Sequence, residues 1–270
     1  MDGSEALNYR SIEAYLDTNF VGRNIRHYNS LSSTNVKAKE IAMDVEEGTV
    51  IIAEEQTAGR GRLGRNWISP KGRGIWMSLI LKPVIPPAKV ARITLIGAAA
   101  VNKALGDMGI ESHIKWPNDI IIDNRKVSGI LTEMSCERNM VGYVIMGIGI
   151  NLDLKDEELS EELAHKAISL REVAEQGIDR KILLAYILNH LEKLYIPFKM
   201  DGDISGPIEI ARRNSILIGR DVWIRERDMR KKARVLDIDD EGRLMVQYDD
   251  GGMGRLASGE ISIRGLEGYF

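Results

Sequence analysis

Apolar residues recur along this chain in two rhythms, and the change between them divides it. Up to about residue 214, compact apolar runs alternate with stretches of helical period; from Ser215 onward, short segments alternate apolar and polar positions. Thr49 to Glu54 and Ile75 to Leu81 predict two buried strands, because short apolar runs bounded by turn residues have strand length. His113 to Trp116 predicts a short strand. Asp119 to Ile122 and Lys126 to Met134 predict a hairpin turning at Asp123-Asn124. Val141 to Ile150 is apolar almost throughout and predicts a central strand.

Helical spacing predicts a short amphipathic helix over Ser11 to Phe20 and a helix through about Asp44 capped from Ser32-Ser33-Thr34-Asn35. Ala88 to Met108 predicts a long helix, Ile208 to Arg213 the last one of the first unit. Leu183, Leu184, Ile187, Leu191 and Leu194 give Lys181 to Lys199 a core-facing stripe, whereas the charged stretch Lys155 to Ala164 predicts a solvated helix. Asp221 to Arg225, Ala233 to Ile238 and Arg243 to Tyr248 alternate as half-buried strands do, with tight turns between them. They predict a small β-barrel over residues 215–270 beside a larger α+β unit over residues 1–214.

Composition narrows the function. Hydrophobic residues make up 44% and charged residues 29% of the 270, as in an ordinary soluble protein. The net charge of -3 argues against a broad basic footprint, so DNA binding is not expected. Cys136 has no partner for a disulfide and no histidine near it in sequence, so it is expected to be a buried spectator in a reducing compartment. No stretch has the length of a membrane span, and Met1-Asp2-Gly3-Ser4-Glu5 lacks the features of a signal peptide; a cytoplasmic protein is expected. The four histidines show no metal-ligand spacing, so no dedicated metal site is expected.

Against that neutral background, Gly59-Arg60-Gly61-Arg62-Leu63-Gly64-Arg65 stands out. It satisfies G-x-G-x-x-G, but a dinucleotide-binding loop must open into a helix, and Pro70, Gly72 and Gly74 follow instead. A phosphate-binding P-loop fails because Arg65-Asn66 stands where Lys and Ser or Thr are required. What remains is a flexible cationic loop between two strands, with arginine forks suited to phosphate or carboxylate. Lys115-Trp116-Pro117-Asn118-Asp119 joins two strands with a cation, an aromatic plate and a carboxylate. Gly147 and Gly149 weaken the strand they end, so a ligand or another chain is expected to press on that backbone.

Together with Ser33-Thr34-Asn35, Gln56, Trp67, Arg125-Lys126-Val127-Ser128-Gly129-Ile130-Leu131 and Asn151, these clusters stand in the order and spacing of the biotin protein ligases, which the chain resembles over nearly its whole length. Ser258-Gly259-Glu260 also looks like that family's last domain. The resemblance implies a mixed-sheet catalytic domain related to class II aminoacyl-tRNA synthetases and a C-terminal SH3-like barrel. It implies activation of biotin by ATP with Mg2+ to biotinyl-5′-AMP, then transfer to a lysine of a carboxylase's biotin-carrier domain. A homodimer is compatible with it.

By motif position, the resemblance implies that Ser33, Thr34, Asn35, Gln56, Gly59, Arg60, Arg62, Lys126 and Gly129 hold biotin. It likewise implies that Arg62, Arg65, Trp67, Asn118 and Asn151 meet ATP or the adenylate, and that Arg60, Lys115, Lys126 and Asp119 serve the reaction. Asp119 is the candidate to take or orient the acceptor lysine's proton, and Arg60→Ala is expected to lose retention of the adenylate. Only about 30 residues precede Ser32, too few for a helix-turn-helix domain, so a ligase without repressor function is expected. The rival enzyme is a lipoate–protein ligase, whose histidine-containing signature is not found; the rival outside enzymes is a basic-loop module for nucleic acid or an acidic partner.

Overall fold

The computed structural model describes residues 7–174, 177–226, 229–259 and 261–266. The elements run α1 (Tyr9–Ile12), β1 (Ile25–Tyr28), α2 (Thr34–Ile41), β2 (Val50–Ala53), β3 (Gly74–Leu81), α3 (Val90–Asp107), β4 (His113–Lys115), β5 (Asp119–Ile122), β6 (Arg125–Glu137) and β7 (Met140–Asn151). There follow α4 (Glu161–Ala164), α5 (Leu170–Val173), α6 (Arg180–Asp201), α7 (Ser205–Arg213), β8 (Asp221–Glu226), β9 (Met229–Ile238), β10 (Leu244–Tyr248), β11 (Met253–Leu256) and β12 (Ile261–Gly265).

A seven-stranded sheet of order β1-β2-β3-β7-β6-β5-β4 carries the first unit. It is mixed: β1 runs parallel to β2, and every other neighbour pair is antiparallel. The apolar strand β7 lies at its centre. Asp123 and Asn124, at φ 48° and 58°, turn the β5–β6 hairpin, as two adjacent left-handed residues do in a tight turn. One face of the sheet packs on α3, which in turn packs on α6 and α7. Leu183, Leu184, Ile187 and Leu191 of α6 are buried there, and Leu194 is half-buried. The other face meets α2 through Ala38, Ile51, Ile80 and Ile145 at one end only. The remainder of that face is left for the site.

Several expectations are corrected. The second unit is not a closed barrel. Its five strands run β11-β10-β9-β8-β12, all antiparallel, and among the described residues no ladder joins β11 to β12. Alternation and tight turns specify antiparallel neighbours, but closure needs a pairing between the first and last strands that no local pattern encodes. Glu260 of the family-like Ser258-Gly259-Glu260 lies outside the described residues, as do the first five residues. Ser11 to Phe20 is not one helix: α1 ends at Ile12, and a 3-10 turn covers Glu13–Tyr15. Lys155 to Ala164 breaks into a 3-10 turn at Asp156–Glu158 and the single turn α4. Cys136 is exposed, because it lies near the hairpin end of β6, beyond the helices that cover the sheet.

The N-terminal segment is fastened by one buried carboxylate. Glu192, 3% exposed on α6, accepts from the amides of Asn19, Phe20 and Val21 and from Asn19 Nδ2, at 2.5 to 3.0 Å. Burial pushes this carboxyl up, but the bonds from Val21, Phe20 and Asn19 outweigh it and hold it below the usual range. Its stabilisation is therefore present above the unfolded carboxyl's range and lost as pH falls through the lower folded value. Glu192→Ala, which leaves three amides without an acceptor, is expected to cost about 2–4 kcal/mol in urea unfolding. The deficit should shrink in acid.

Candidate functional site

The uncovered face of the central strands is built on glycine. Gly149 pairs with Gly129 on one side and Trp76 on the other, and Gly147 pairs with Leu131 and Ser78. A Cβ on Gly149 would lie 2.5 Å from Trp67 Nε1, and one on Gly147 would lie 2.3 Å from Asn35 Oδ1. The glycines thus make room for close approach, but Trp67 and Asn35 of this same chain press on them.

The glycine-arginine stretch forms a tight hairpin over this floor. Gly61 donates to Arg65 O at 2.7 Å and Trp67 to Gly59 O at 2.9 Å, with Arg60 opposite Asn66. Its arginines have different environments. Arg60 and Arg65 are exposed, while Arg62 turns inward and bonds Asn118 Oδ1 and Gly259 O, each at 2.6 Å. Burial pushes its guanidinium down from its ordinary value, against the pull of Asp119.

Two cavities meet beneath the hairpin. The larger, about 410 Å³, is lined by Arg62, Arg65, Trp67, Lys115, Asn118, Asp119, Lys126 and Asn151. The smaller, about 40 Å³, is lined by Ser33, Thr34, Asn35, Gln56, Arg60, Arg62, Trp67, Asn118, Lys126 and Gly129. Gly61, Arg62, Trp67, Asn118 and Lys126 line both and form the partition. Gly59 lines neither; its Cβ position is blocked at 2.3 Å by Trp67 O, so it shapes the hairpin neck.

Behind the small cavity stands a polar relay. Gln56 Oε1 accepts from the amide and hydroxyl of Thr34, at 2.8 and 3.0 Å. Ser78 Oγ lies 2.8 Å from Thr34 Oγ1 and 2.6 Å from Asn35 Oδ1, and Asn35 Nδ2 donates to Glu133 at 2.7 Å.

At the partition the charges are paired. Lys126 Nζ lies 2.5 Å from Asp119 Oδ1 and 5.1 Å from the centre of the Trp67 ring. Asp119 also accepts from Asn118 Nδ2 at 2.9 Å. Lys115 is 4% exposed, and burial, opposed by Asp119 but reinforced by Arg264 and Lys126, lowers it to about 7. Among the described residues, the buried atoms Trp67 Nε1 and Asn151 Oδ1 find no hydrogen-bond partner. In a ligand-binding cleft, such atoms are the ones a ligand can satisfy.

The sequence did not single out Ser78, Lys39 or Glu133, because a serine in an apolar run and a charge pair on two elements carry no local signature. Nor did it single out Leu154, Leu159 and Leu163, which line the larger cavity although charges surround them in sequence, or Arg264 of β12.

A hairpin of arginines thus lies over a two-chambered, cation-rich cleft of the kind that suits anionic ligands. Residues 28–151 match the biotin/lipoate A/B protein ligase family and residues 217–264 the biotin protein ligase C-terminal domain. The bifunctional ligase/repressor BirA of Bacillus subtilis is 40% identical over 91% of this chain and 76% of its own length. The biotin–[acetyl-CoA-carboxylase] ligase of Mycobacterium tuberculosis is 32% identical, over 74% of this chain and 73% of its own length. The biotin protein ligase of Aquifex aeolicus, solved with biotin and ATP, superposes with a TM-score of 0.77 at 28% identity. That match covers 90% of this chain and 99% of the other. The chain belongs to the biotin protein ligase family. Among the described residues no helix is long and apolar enough to cross a membrane.

Proposed function

We propose that this protein activates biotin with ATP as biotinyl-5′-AMP and transfers it to a lysine of a biotin-carrier domain in the cytoplasm. The observation that carries the reading is the partition, where Arg62 and Lys126 face the boundary of two chambers. There a carboxylate from one side meets an α-phosphate from the other. Bringing two anions together requires cations aimed at the meeting point.

Biotin's head belongs in the small chamber, among Ser33, Thr34, Asn35, Gln56, Arg60 and Gly129, with Gly59 shaping the hairpin neck beside it. At about 40 Å³ that chamber holds no more than a few waters, so its walls must open as biotin enters. The larger chamber takes ATP: Leu154, Leu159 and Leu163 wall the base, Trp67 offers a stacking face, and Arg65 meets the phosphates at the mouth. Asn151 Oδ1 is an open acceptor for an adenine amine. Among the described residues no three carboxylate, histidine or cysteine side chains converge as a metal site, and Asp119 is the one carboxylate lining this chamber, engaged by Lys126. The residues present do not fit a resident metal; magnesium arrives with ATP as part of the substrate.

In the first step a biotin carboxylate oxygen attacks the α-phosphorus and the bond to pyrophosphate breaks. In the second the carrier lysine's amine attacks the acyl carbon and AMP leaves. Asp119 holds Lys126 in place, and this pairing makes it a positioning group more than a free base. Residues 1–214 form the catalytic unit and residues 215–270 the second unit, which reaches the chamber through Arg264.

The deciding assay is ATP–pyrophosphate exchange. It is expected with biotin and absent with lipoate; exchange that depends on lipoate alone would overturn the reading. A pH effect follows from Lys115. With its folded value lowered to about 7, the amine is largely neutral at pH 8. A polyanion favours the charged form, so ATP binding takes up a proton. Affinity should fall as pH rises above 7, by up to about tenfold per unit. In Lys115→Met the ATP KM should be flat across that window, and calorimetry in buffers of different ionisation enthalpy should show the uptake gone.

A further inference from the structure

We propose that Arg73, which lines neither chamber, is a positioning residue for ATP: through Asp153 and Glu158 it holds the chain segment whose leucines wall the base. This rests on the ATP reading of the larger chamber given above.

The segment is an excursion that starts where the core stops. Leu152 and Ile168 belong to the hydrophobic core, and none of Leu154, Leu159 and Leu163 between them does. These three line the chamber instead, and Leu163, on the single turn α4, is 38% exposed. A wall without core contacts has little burial of its own to fix it, so polar ties must do so.

The two ends of the excursion are tied through the backbone. At its start the amides of Leu152 and Asp153 both donate to Arg73 O at 3.0 Å, and the Leu154 amide donates to Ser169 Oγ at 2.8 Å. At its finish Lys126 donates to Lys166 O at 2.8 Å and Ile168 to Lys126 O at 3.0 Å. Between those ends the Arg73 guanidinium catches it. The Nη1 of Arg73 donates to Asp153 Oδ2 at 2.9 Å, and its Nε donates to Glu158 Oε1 at 3.3 Å. The second oxygen of Glu158 accepts from the Lys155 amide at 2.9 Å and closes the turn between Leu154 and Leu159. Arg171 adds a bond to Asp153 Oδ2 at 3.0 Å.

A guanidinium suits this place because its planar fork serves two carboxylates at once. Its own base is fixed: the Arg73 amide donates to Pro70 O and the Gly72 amide to Glu54 O. Without the cation, Asp153 and Glu158 are left to repel, so the excursion is pushed away as well as released. The side chains of Arg73, Asp153 and Glu158 are 27% to 32% exposed, so salt weakens the clip. A salt dependence at the base end of ATP follows, separate from that of its phosphates. The ties to Lys126 are backbone bonds beyond the clip, so the reacting centre should be spared.

Arg73→Met tests this, because it keeps much of the stem and removes the charge. In biotin-dependent exchange the ATP KM is expected to rise about 5- to 20-fold, while the biotin KM, the pyrophosphate KM and the rate at saturating substrates stay within about twofold. Arg73→Lys, with a single point charge in place of the fork, should fall between. Adenosine separates the base from the phosphates, since it carries no charge for salt to screen. As a competitor of ATP it should bind the parent about three- to fivefold more weakly at about 0.5 M than at about 0.05 M potassium chloride, and bind Arg73→Met alike at both. An unchanged ATP KM in Arg73→Met, a matching rise in the biotin KM, or the same salt dependence of adenosine in parent and variant would overturn the proposal. Exchange by the parent protein is the control. If biotin supports none, the functional reading falls and takes this inference with it. If biotin supports exchange and the ATP KM of the variant is unaffected, only the role of Arg73 falls.

Discussion

Lys126→Ala is expected to lower biotin-dependent pyrophosphate exchange about 10²- to 10³-fold at saturating substrates, the loss typical of removing one donor aimed at developing charge. Lys126 is placed for that role. It lines both chambers, and its Nζ lies against the Trp67 ring and on Asp119. Its removal does more than delete a cation. It leaves the Asp119 carboxylate unbalanced where a phosphate must arrive, and like charges in a half-buried site repel. The sign of a second change follows. Adding Asp119→Asn to Lys126→Ala should recover part of the lost rate, although Asp119→Asn alone should lower it. A double variant no better than Lys126→Ala would mean that Asp119 acts apart from Lys126, for instance as the base in transfer. Measuring exchange separately from transfer to a carrier domain distinguishes the two.

How much of this site was legible depends on whether a residue's role is local. The β5–β6 hairpin could be read because Asp123-Asn124 is a turn by its own chemistry. The glycine-arginine hairpin could be read because three glycines and three arginines in seven residues need a reason. Paired glycines on β6 and β7 could be read as a place of close approach, but not what approaches; Asn35 and Trp67 are distant in sequence. β1 was missed because Ile25-Arg26-His27-Tyr28 is short and polar, and its His27 is satisfied by Glu54 across the strand. The leucines of residues 154–163 are hidden in the sequence by the charged residues around them, although Leu154, Leu159 and Leu163 line the chamber. The barrel was expected because strand alternation is local, while closure is a relation between strands far apart in sequence. Ser78 and Glu133 were invisible for the same reason: each matters only through partners that three different elements bring to it.

Arg62→Ala is expected to speed dissociation of the adenylate about 10- to 100-fold while the protein stays folded. Its guanidinium spans the mouth of the cleft: one nitrogen bonds Asn118 Oδ1, and another bonds Gly259 O and lies 3.5 Å from Ile261 O. It therefore ties the hairpin both to the floor between the strands and to the second unit. Hydrogen bonds from a charged donor are each worth about 1.5–3 kcal/mol, and losing even one net bond gives a rate change of the stated size. The hairpin itself should persist, because its backbone bonds at Gly61 and Trp67 do not involve this side chain. Arg60→Ala, at an exposed position without the inward bonds of Arg62, is expected to have the smaller effect. A mixed anhydride that escapes the cleft meets any amine in solution. Dissociation measured with preformed adenylate should thus rise together with labelling of bystander lysines, and carrier labelling per adenylate formed should fall. Equal dissociation from the Arg60 and Arg62 variants would place the closure elsewhere in the hairpin, and an unchanged rate in both would remove the hairpin from retention altogether.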